Sequence, residues 1–271
     1  MIKQGGVRRL PARFQTLLPP AGTKSGIALL LDFDGTLVGI CDRPEQTVLP
    51  ASVRSLIGAL AAHPRCAVAI VSGRPASSLR SLITTPNVHF AGNHGLFIEG
   101  PGYRYAHPRI ASARPSLDRV CSRLAAIAES LPGVWVEPKP ASCALHYRLA
   151  PPQVARRAGA LFSQVVREAE TRGRLRIIRG KKVLEVLPDF GWDKGKAVLW
   201  LLRKFDGRMF PIYIGDDRTD EDAFRVLAGR GLSIRVGRSV RTGARYFIRS
   251  HNEVGGILAG ILAHIAEQRP A

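Results

Sequence analysis

Ile27-Ala-Leu-Leu-Leu-Asp32-Phe-Asp34-Gly-Thr-Leu37 decides the fold: an apolar run of strand length ends in two carboxylates one residue apart, followed at once by a glycine. Five uninterrupted apolar residues read as a strand buried on both faces, the condition of a parallel sheet covered by helices. Asp32 and Asp34 would share a face if the strand continued, and Gly35 lets the backbone turn there. Carboxylates held this close repel each other unless a cation lies between them or one binds a proton. Asp-x-Asp-Gly-Thr after such a strand therefore points to a bound metal or a reactive carboxylate rather than to a turn alone.

Outward from this strand, Val53, Leu56, Ile57 and Leu60 recur at helical spacing within 51–62, and Cys66-Ala-Val-Ala-Ile-Val71 is a second buried strand. Strand, helix and strand form a βαβ unit with parallel strands, which puts Ser72-Gly-Arg74-Pro at the carboxyl edge beside Asp32. Ser72 suits a helix N-cap there, and a hydroxyl at a helix N-terminus also suits a phosphate. A helix over 75–84 and a strand over 88–91 lead to Gly92-Asn93-His94-Gly95, a tight turn expected to present Asn93 and His94 at its tip. Composition changes after Gly100-Pro-Gly102. The segment 107–187 reads as helix (116–131), strand (134–137), strand (143–149), helix (152–171), strand (175–178) and strand (182–187), a small α/β domain with an antiparallel sheet. One face of that sheet carries Glu137, Lys139, His146, Arg148, Lys181 and Glu185, a mixed-sign set able to bond a polyol in both directions. Beyond it, Trp192-Asp193-Lys194-Gly195 opens a helix (196–205). Pro211-Ile-Tyr-Ile-Gly215 then ends in Asp216-Asp217-Arg-Thr-Asp220-Glu221-Asp222, five acids in seven positions, with a helix starting near Thr219. Asp216, directly after the strand, is the one expected beside a metal.

The 271 residues suit one large domain or two modest ones, and 45% hydrophobic content supplies a core. No apolar run approaches the ~20 residues needed to span a bilayer. Residues 1–25 are basic and proline-broken, with no apolar leader, and read as a loose lead-in to a cytoplasmic protein. The four cysteines are scattered, with no metal-ligand spacing, and read as reduced thiols. Forty Lys plus Arg against 21 Asp plus Glu give a formal charge of +19, which attracts polyanions. The basic residues are spread along the chain with only 7% aromatics to stack bases, so a small phosphorylated substrate fits better than specific nucleic-acid binding.

Asp32-Phe-Asp34-Gly-Thr-Leu, Ser72-Gly-Arg, Lys194-Gly and Gly215-Asp216-Asp217 resemble the four motifs of haloacid dehalogenase superfamily phosphohydrolases. Gly215-Asp-Asp-Arg-Thr-Asp-Glu-Asp-Ala-Phe224, Ala144-Leu-His-Tyr-Arg148, Gly180-Lys-Lys-Val-Leu-Glu185 and Gly92-Asn-His-Gly95 resemble, more narrowly, the trehalose-6-phosphate phosphatase family, from about residue 25 to about 260. The resemblance implies a Rossmann-like core with a parallel sheet (26–106 and 188–271) and an inserted C2-type α/β cap with an antiparallel sheet (107–187). It also implies Mg²⁺ and hydrolysis of trehalose 6-phosphate, in trehalose biosynthesis, through an aspartyl-phosphate. Carried over, Asp32 is the nucleophile and Asp34 the acid and base. Asp32, the Asp34 carbonyl and Asp216 hold the metal, and Ser72 and Lys194 bind the phosphoryl group. Glu137, Lys139, Arg148, Lys181, Glu185 and His94 contact the sugar phosphate, with Thr36, Arg74, Asp217 and Asp220 behind these groups. Other sugar phosphates, of the sucrose- or mannose-phosphate type, are the nearest alternative substrates, and a basic nucleic-acid-binding protein on the same fold is a more distant one. A monomer with no membrane partner is expected.

Overall fold

A computed structural model describes residues 7–20, 23–169 and 175–267. The chain divides into two compact units, Met1–Tyr105 with Asp193–Ala271, and Ala106–Trp192. In chain order the first unit begins with β1 (Arg8–Arg9), β2 (Ile27–Leu31), α1 (Ala51–Ala62), β3 (Cys66–Val71), α2 (Ala76–Leu82), β4 (Val88–Gly92), β5 (Phe97–Gly100) and β6 (Tyr103–Ala106). The second unit holds α3 (Ile110–Ala128), β7 (Trp135–Lys139), β8 (Ser142–His146), α4 (Pro152–Ala169), β9 (Leu175–Gly180) and β10 (Val183–Pro188). The first resumes with α5 (Lys194–Lys204), β11 (Phe210–Gly215), α6 (Glu221–Val226), β12 (Leu232–Val236), β13 (Tyr246–Ile248) and α7 (Val254–Glu267).

The first unit is a nine-stranded sheet in the order β1-β13-β12-β11-β2-β3-β4-β5-β6. Pairing is parallel from β1 to β4 and turns antiparallel at β5. All five residues of β2 are buried between β11 and β3, as the apolar run predicts. Asp32, Ser72, Asn93 and Asp216 follow the carboxyl ends of β2, β3, β4 and β11, the edge where open α/β sheets carry their ligands. The second unit is an antiparallel sheet, β7-β8-β10-β9, whose apolar face (Cys143, Leu145, Leu184, Val186) packs with Leu117, Leu124, Phe162 and Val166 of α3 and α4. Among the described residues no helix is long and apolar enough to cross a membrane.

Three sequence expectations need correcting. The stretch before residue 25 is not a loose lead-in where it is described: β1 pairs in parallel with β13, and Leu10, Phe14 and Leu18 are buried in the core with Ile257 and Ile261 of α7. Leu10, Phe14 and Leu18 recur every four residues, but Pro11 and the Pro19-Pro20 pair flank so short a stretch that its spacing marks no regular element. Helix α3 starts at Ile110, not Ser116. Pro115 looks like a first-turn residue but lies inside the helix, depriving the exposed Ala111 carbonyl of its donor, and water can replace that. The strand over 143–149 stops at His146, because Tyr147 and its successors turn toward α4.

Candidate active site

Gly35, with φ +84, makes the turn after β2, and there a side chain is excluded twice over: a Cβ would lie 2.1 Å from Asp216 Oδ2. The turn lets Thr36 Oγ1 donate back to Asp32 Oδ2 at 3.2 Å. Asp193 caps α5 by accepting from the Lys196 amide, which makes Lys194 the first residue of the helix rather than its approach. The Lys194 ammonium, 3% exposed, donates to Asp32 Oδ1 and to Asp220 Oδ1, both at 2.8 Å. Tyr213, fully buried in β11, donates its hydroxyl to the same Asp220 Oδ1 at 2.7 Å, and the Asp217 amide donates to Asp220 Oδ2 at 2.8 Å. Asp217 and Asp220 together form the reciprocal cap that starts the turn leading into α6. Asp220 does more than that, since it also anchors the ammonium beside Asp32.

Asp32, Asp216 and Asp220 are all buried, each with a carboxylate oxygen within 4.8 Å of the other two. Burial, then the neighbouring Asp220 and Asp216 charges, outweigh the Lys194 ammonium and push the Asp32 carboxyl well above the usual carboxylate range. Burial alone would push the Lys194 ammonium down; Asp220 and Asp32 outweigh it and hold the group above its ordinary value. Burial, reinforced by Asp220, likewise raises the Tyr213 phenol, which stays a donor. Three carboxylates against one ammonium leave a formal charge of −2 on hard oxygen donors, a set that suits a divalent cation of the Mg²⁺ kind.

Arg74 grips the Asp34 carboxylate with two hydrogen bonds, Nε to Oδ2 at 2.7 Å and Nη2 to Oδ1 at 2.8 Å. The guanidinium is itself fixed by Thr47 Oγ1 at 2.7 Å and the Pro44 carbonyl at 3.1 Å. Ser72 is 2% exposed and its Oγ accepts from the Arg74 amide. The Asn93 and His94 amides donate to the Arg74 and Ser72 carbonyls, which ties the loop after β4 to the loop after β3. Asn93, His94 and Gly95 all have positive φ, and the His94 ring lies so close to Gly73 that a Cβ there would meet it at 2.9 Å. His94 is therefore buried against Gly73, and Asn93 is buried too, rather than presented at a loop tip.

In the second unit the pleat sets Trp135, Glu137 and Lys139 on one face with Ser142, Ala144, His146 and Glu185. Lys139 Nζ lies 3.2 Å from Glu185 and 3.7 Å from Glu137, and Ser142 donates to Glu185 at 2.5 Å. His146 contacts Glu137 at 2.9 Å and stacks on Trp135 with ring centroids 3.9 Å apart. Burial acts to raise Glu137, but the His146 hydrogen bond and the Lys139 charge outweigh it and hold the carboxyl below its usual range. Of the six face residues read from sequence, four come together here. Lys181 sits instead in the exposed turn between β9 and β10, where its carbonyl accepts from Arg148 at 2.5 Å. Tyr213, Thr47, Ser142 and Trp135 escaped the sequence reading. Only Tyr213 carried a signal, as a hydroxyl inside an apolar strand that must find a partner.

Residues 30–250 match the family described as trehalose-phosphatase. The chain belongs to that family. It is 37% identical over 233 residues to the trehalose-phosphate phosphatase of Mycobacterium ulcerans, a match covering 84% of this chain and 58% of that one, so it spans little more than half the relative's length. The C-terminal domain of the C. albicans trehalose-6-phosphate phosphatase superposes with TM-score 0.77 at 22% identity, covering 89% of this chain and 93% of that one. A haloacid dehalogenase-like hydrolase from Bacteroides thetaiotaomicron shares the fold at TM-score 0.60 and 16% identity, covering 87% and 98%.

Proposed function

We propose that the protein hydrolyses trehalose 6-phosphate to trehalose and phosphate. The observation that carries the phosphatase reading is the Lys194 ammonium bonded at once to Asp32 and Asp220, with Asp216 beside them. A carboxylate attacking a phosphate dianion needs its repulsion cancelled, and one fixed ammonium cancels only part of it. Mg²⁺ held by Asp32, the Asp34 carbonyl and Asp216 would supply the remaining positive charge.

Asp32, kept in line by Thr36 and Lys194, attacks phosphorus and the sugar–oxygen bond to phosphorus breaks, leaving an aspartyl-phosphate. Asp34, which Arg74 holds as a carboxylate in the resting site, takes up a proton from solvent, gives it to the departing sugar oxygen and then takes one back from the water that cleaves the acyl-phosphate. Ser72 and Lys194 bind the transferring phosphoryl oxygens. Glu137, Lys139 and Glu185, with Arg148 and Lys181, recognise the sugar hydroxyls, and His94 supports the loop beside Ser72. These acids and bases offer both donors and acceptors, which suits a non-reducing disaccharide rich in hydroxyls.

Phosphate release across a panel of trehalose, sucrose, mannose and glucose phosphates tests the substrate. The highest kcat/KM is expected for trehalose 6-phosphate, with activity lost in chelator and restored by Mg²⁺. A preference for another sugar phosphate would overturn the substrate and leave the chemistry standing. Asp32→Asn is nearly isosteric and cannot form the ester, so it should lower turnover by at least about a thousandfold with the fold intact; residual activity within about tenfold of wild type would exclude Asp32 as nucleophile.

A further inference from the structure

The second unit holds two thiols in contact that the hydrolytic chemistry does not use. Cys121 lies on α3 and Cys143 on β8, 22 positions apart in sequence, yet their sulfurs are 2.9 Å apart. Both are free thiols. Ordinary non-bonded heavy atoms pack at about 3.5–4.0 Å, whereas an S–S bond measures about 2.05 Å, so under one ångström of movement separates this pair from a bond. The two sites differ in access. Cys143 is fully buried between β7 and β10, while Cys121 is half-buried on the helix. Burial pushes the Cys143 thiol well above its ordinary range, with the Cys121 contact adding to it. Cys121 is thus the sulfur that a dissolved oxidant meets, with Cys143 waiting behind it.

We propose that Cys121 and Cys143 form an oxidation site, in which a hydroperoxide oxidises Cys121 and Cys143 resolves the product as a disulfide that ties α3 to β8. Cys121 Sγ, as thiolate, attacks the peroxide oxygen; the O–O bond breaks, hydroxide or alkoxide leaves, and Cys121 becomes a sulfenic acid. Cys143 Sγ then attacks the sulfenic sulfur, an S–S bond forms, the S–O bond breaks, and the hydroxyl leaves as water with the Cys143 proton. Two thiols lose two hydrogens and one peroxide is reduced. A small dithiol reverses the step by exchange. The residue next to Cys143 is Ser142, which donates to Glu185, so the bond would anchor to a helix the strand that carries the polar face. Nearness of a resolving thiol also spares Cys121 from the irreversible sulfinic acid.

The experiment treats the full protein with hydrogen peroxide, blocks remaining thiols with iodoacetamide after denaturation, and maps unreduced peptides by mass spectrometry. The expected result is one cross-link, Cys121 to Cys143, reversed by dithiothreitol, with Cys41 and Cys66 alkylated. In Cys143→Ala, a small apolar replacement for a buried side chain, the same treatment should leave Cys121 as sulfinic acid. The oxidised wild type should also melt higher than the reduced protein, a shift absent from Cys121→Ser. Cross-linking to Cys41 or Cys66, both thiols still free after peroxide, or Cys121 over-oxidised as readily in wild type as in Cys143→Ala would each overturn the proposal.

Discussion

Replacing Lys194 with Met keeps most of the side chain's volume and removes its charge. The ammonium is buried and donates 2.8 Å hydrogen bonds to two carboxylates, so its loss takes the formal charge of the three-carboxylate cluster from −2 to −3 and leaves Asp32 and Asp220 without that donor. Two charge-assisted hydrogen bonds at about 1.5–3 kcal/mol each sum to about 3–6 kcal/mol, and removing one partner of a buried ion pair costs about 3–5 kcal/mol, so the loss is about 3–5 kcal/mol on either count. That is a large part of a typical domain's stability. The pocket can relieve itself by taking up a proton. Burial already holds the Asp32 carboxyl above its usual range, and Lys194 is the principal force pulling it down. A carboxyl whose folded pKa is raised keeps its proton where the unfolded chain has lost it. Its contribution is therefore present at low pH and disappears as pH rises through the folded value. Urea unfolding in chelator should show Lys194→Met closest to wild type near about pH 5 and furthest from it near about pH 8, with Mg²⁺ restoring part of the difference. A variant within about 1 kcal/mol of wild type at the higher pH, or equally weakened at both, would refute the buried ion-pair account. Turnover should fall to background in either case.

Glu185→Gln keeps the shape and removes the charge that Lys139 and Ser142 address; kcat/KM for trehalose 6-phosphate should fall about ten- to a hundredfold while hydrolysis of a small aryl phosphate stays unchanged, and equal loss on both substrates would remove Glu185 from sugar recognition. Tyr213→Phe fills the same space but withdraws a donor from Asp220; steady-state kinetics should show kcat lowered about tenfold with KM little changed, and a KM effect alone would mean that Tyr213 shapes binding instead. His89 is a stability probe away from the chemistry: burial lowers its imidazole to about 4, while Nδ1 bonds the Tyr103 hydroxyl at 2.6 Å. The unfolded chain binds that proton from about pH 6.5 downward, so stability should fall as pH drops from about 6.5 to about 4, by about 1–2 kcal/mol once partial exposure is allowed for, and His89→Gln should flatten the decline measured by urea midpoints.

The central strands were legible because burial on both faces leaves an unbroken apolar run, and Ile27–Leu31 and Cys66–Val71 have no other reading. Asp32 and Asp216 were legible for the same reason, as acids where such runs end. Strands β12 and β13 were not read, being short and set among arginines and glycines, so neither length nor alternation marked them. The double duty of Asp220 was hidden inside a run of acids that a helix N-terminus explains on its own. Its partners come from β11 and from α5, 26 residues upstream, and periodicity does not report such pairings. The grip of Arg74 on Asp34 spans 40 residues and depends on Thr47 in a polar loop with no motif. Lys181 was misplaced for a simpler reason: its spacing from Glu185 fits a strand face, but the strand has already turned.

The discontinuity of the first unit sets the order in which the protein can be made. Strand β2 needs β3 on one side and β11 on the other, and its pairing with β11 joins Ile27 to Phe210. A ribosome releases the whole of the Ala106–Trp192 unit before Lys194 or β11 exists. The inserted unit, contiguous and with its own apolar core, can fold while the N-terminal half of the larger sheet still has an open edge at β2. The chain thus carries a waiting period, during which Ile27–Leu31 is an exposed apolar strand of the kind that seeds aggregation. A substitution that slows folding of the second unit, far from the Asp32 cluster, would lengthen that wait and lower the yield of folded protein without changing the molecules that finish.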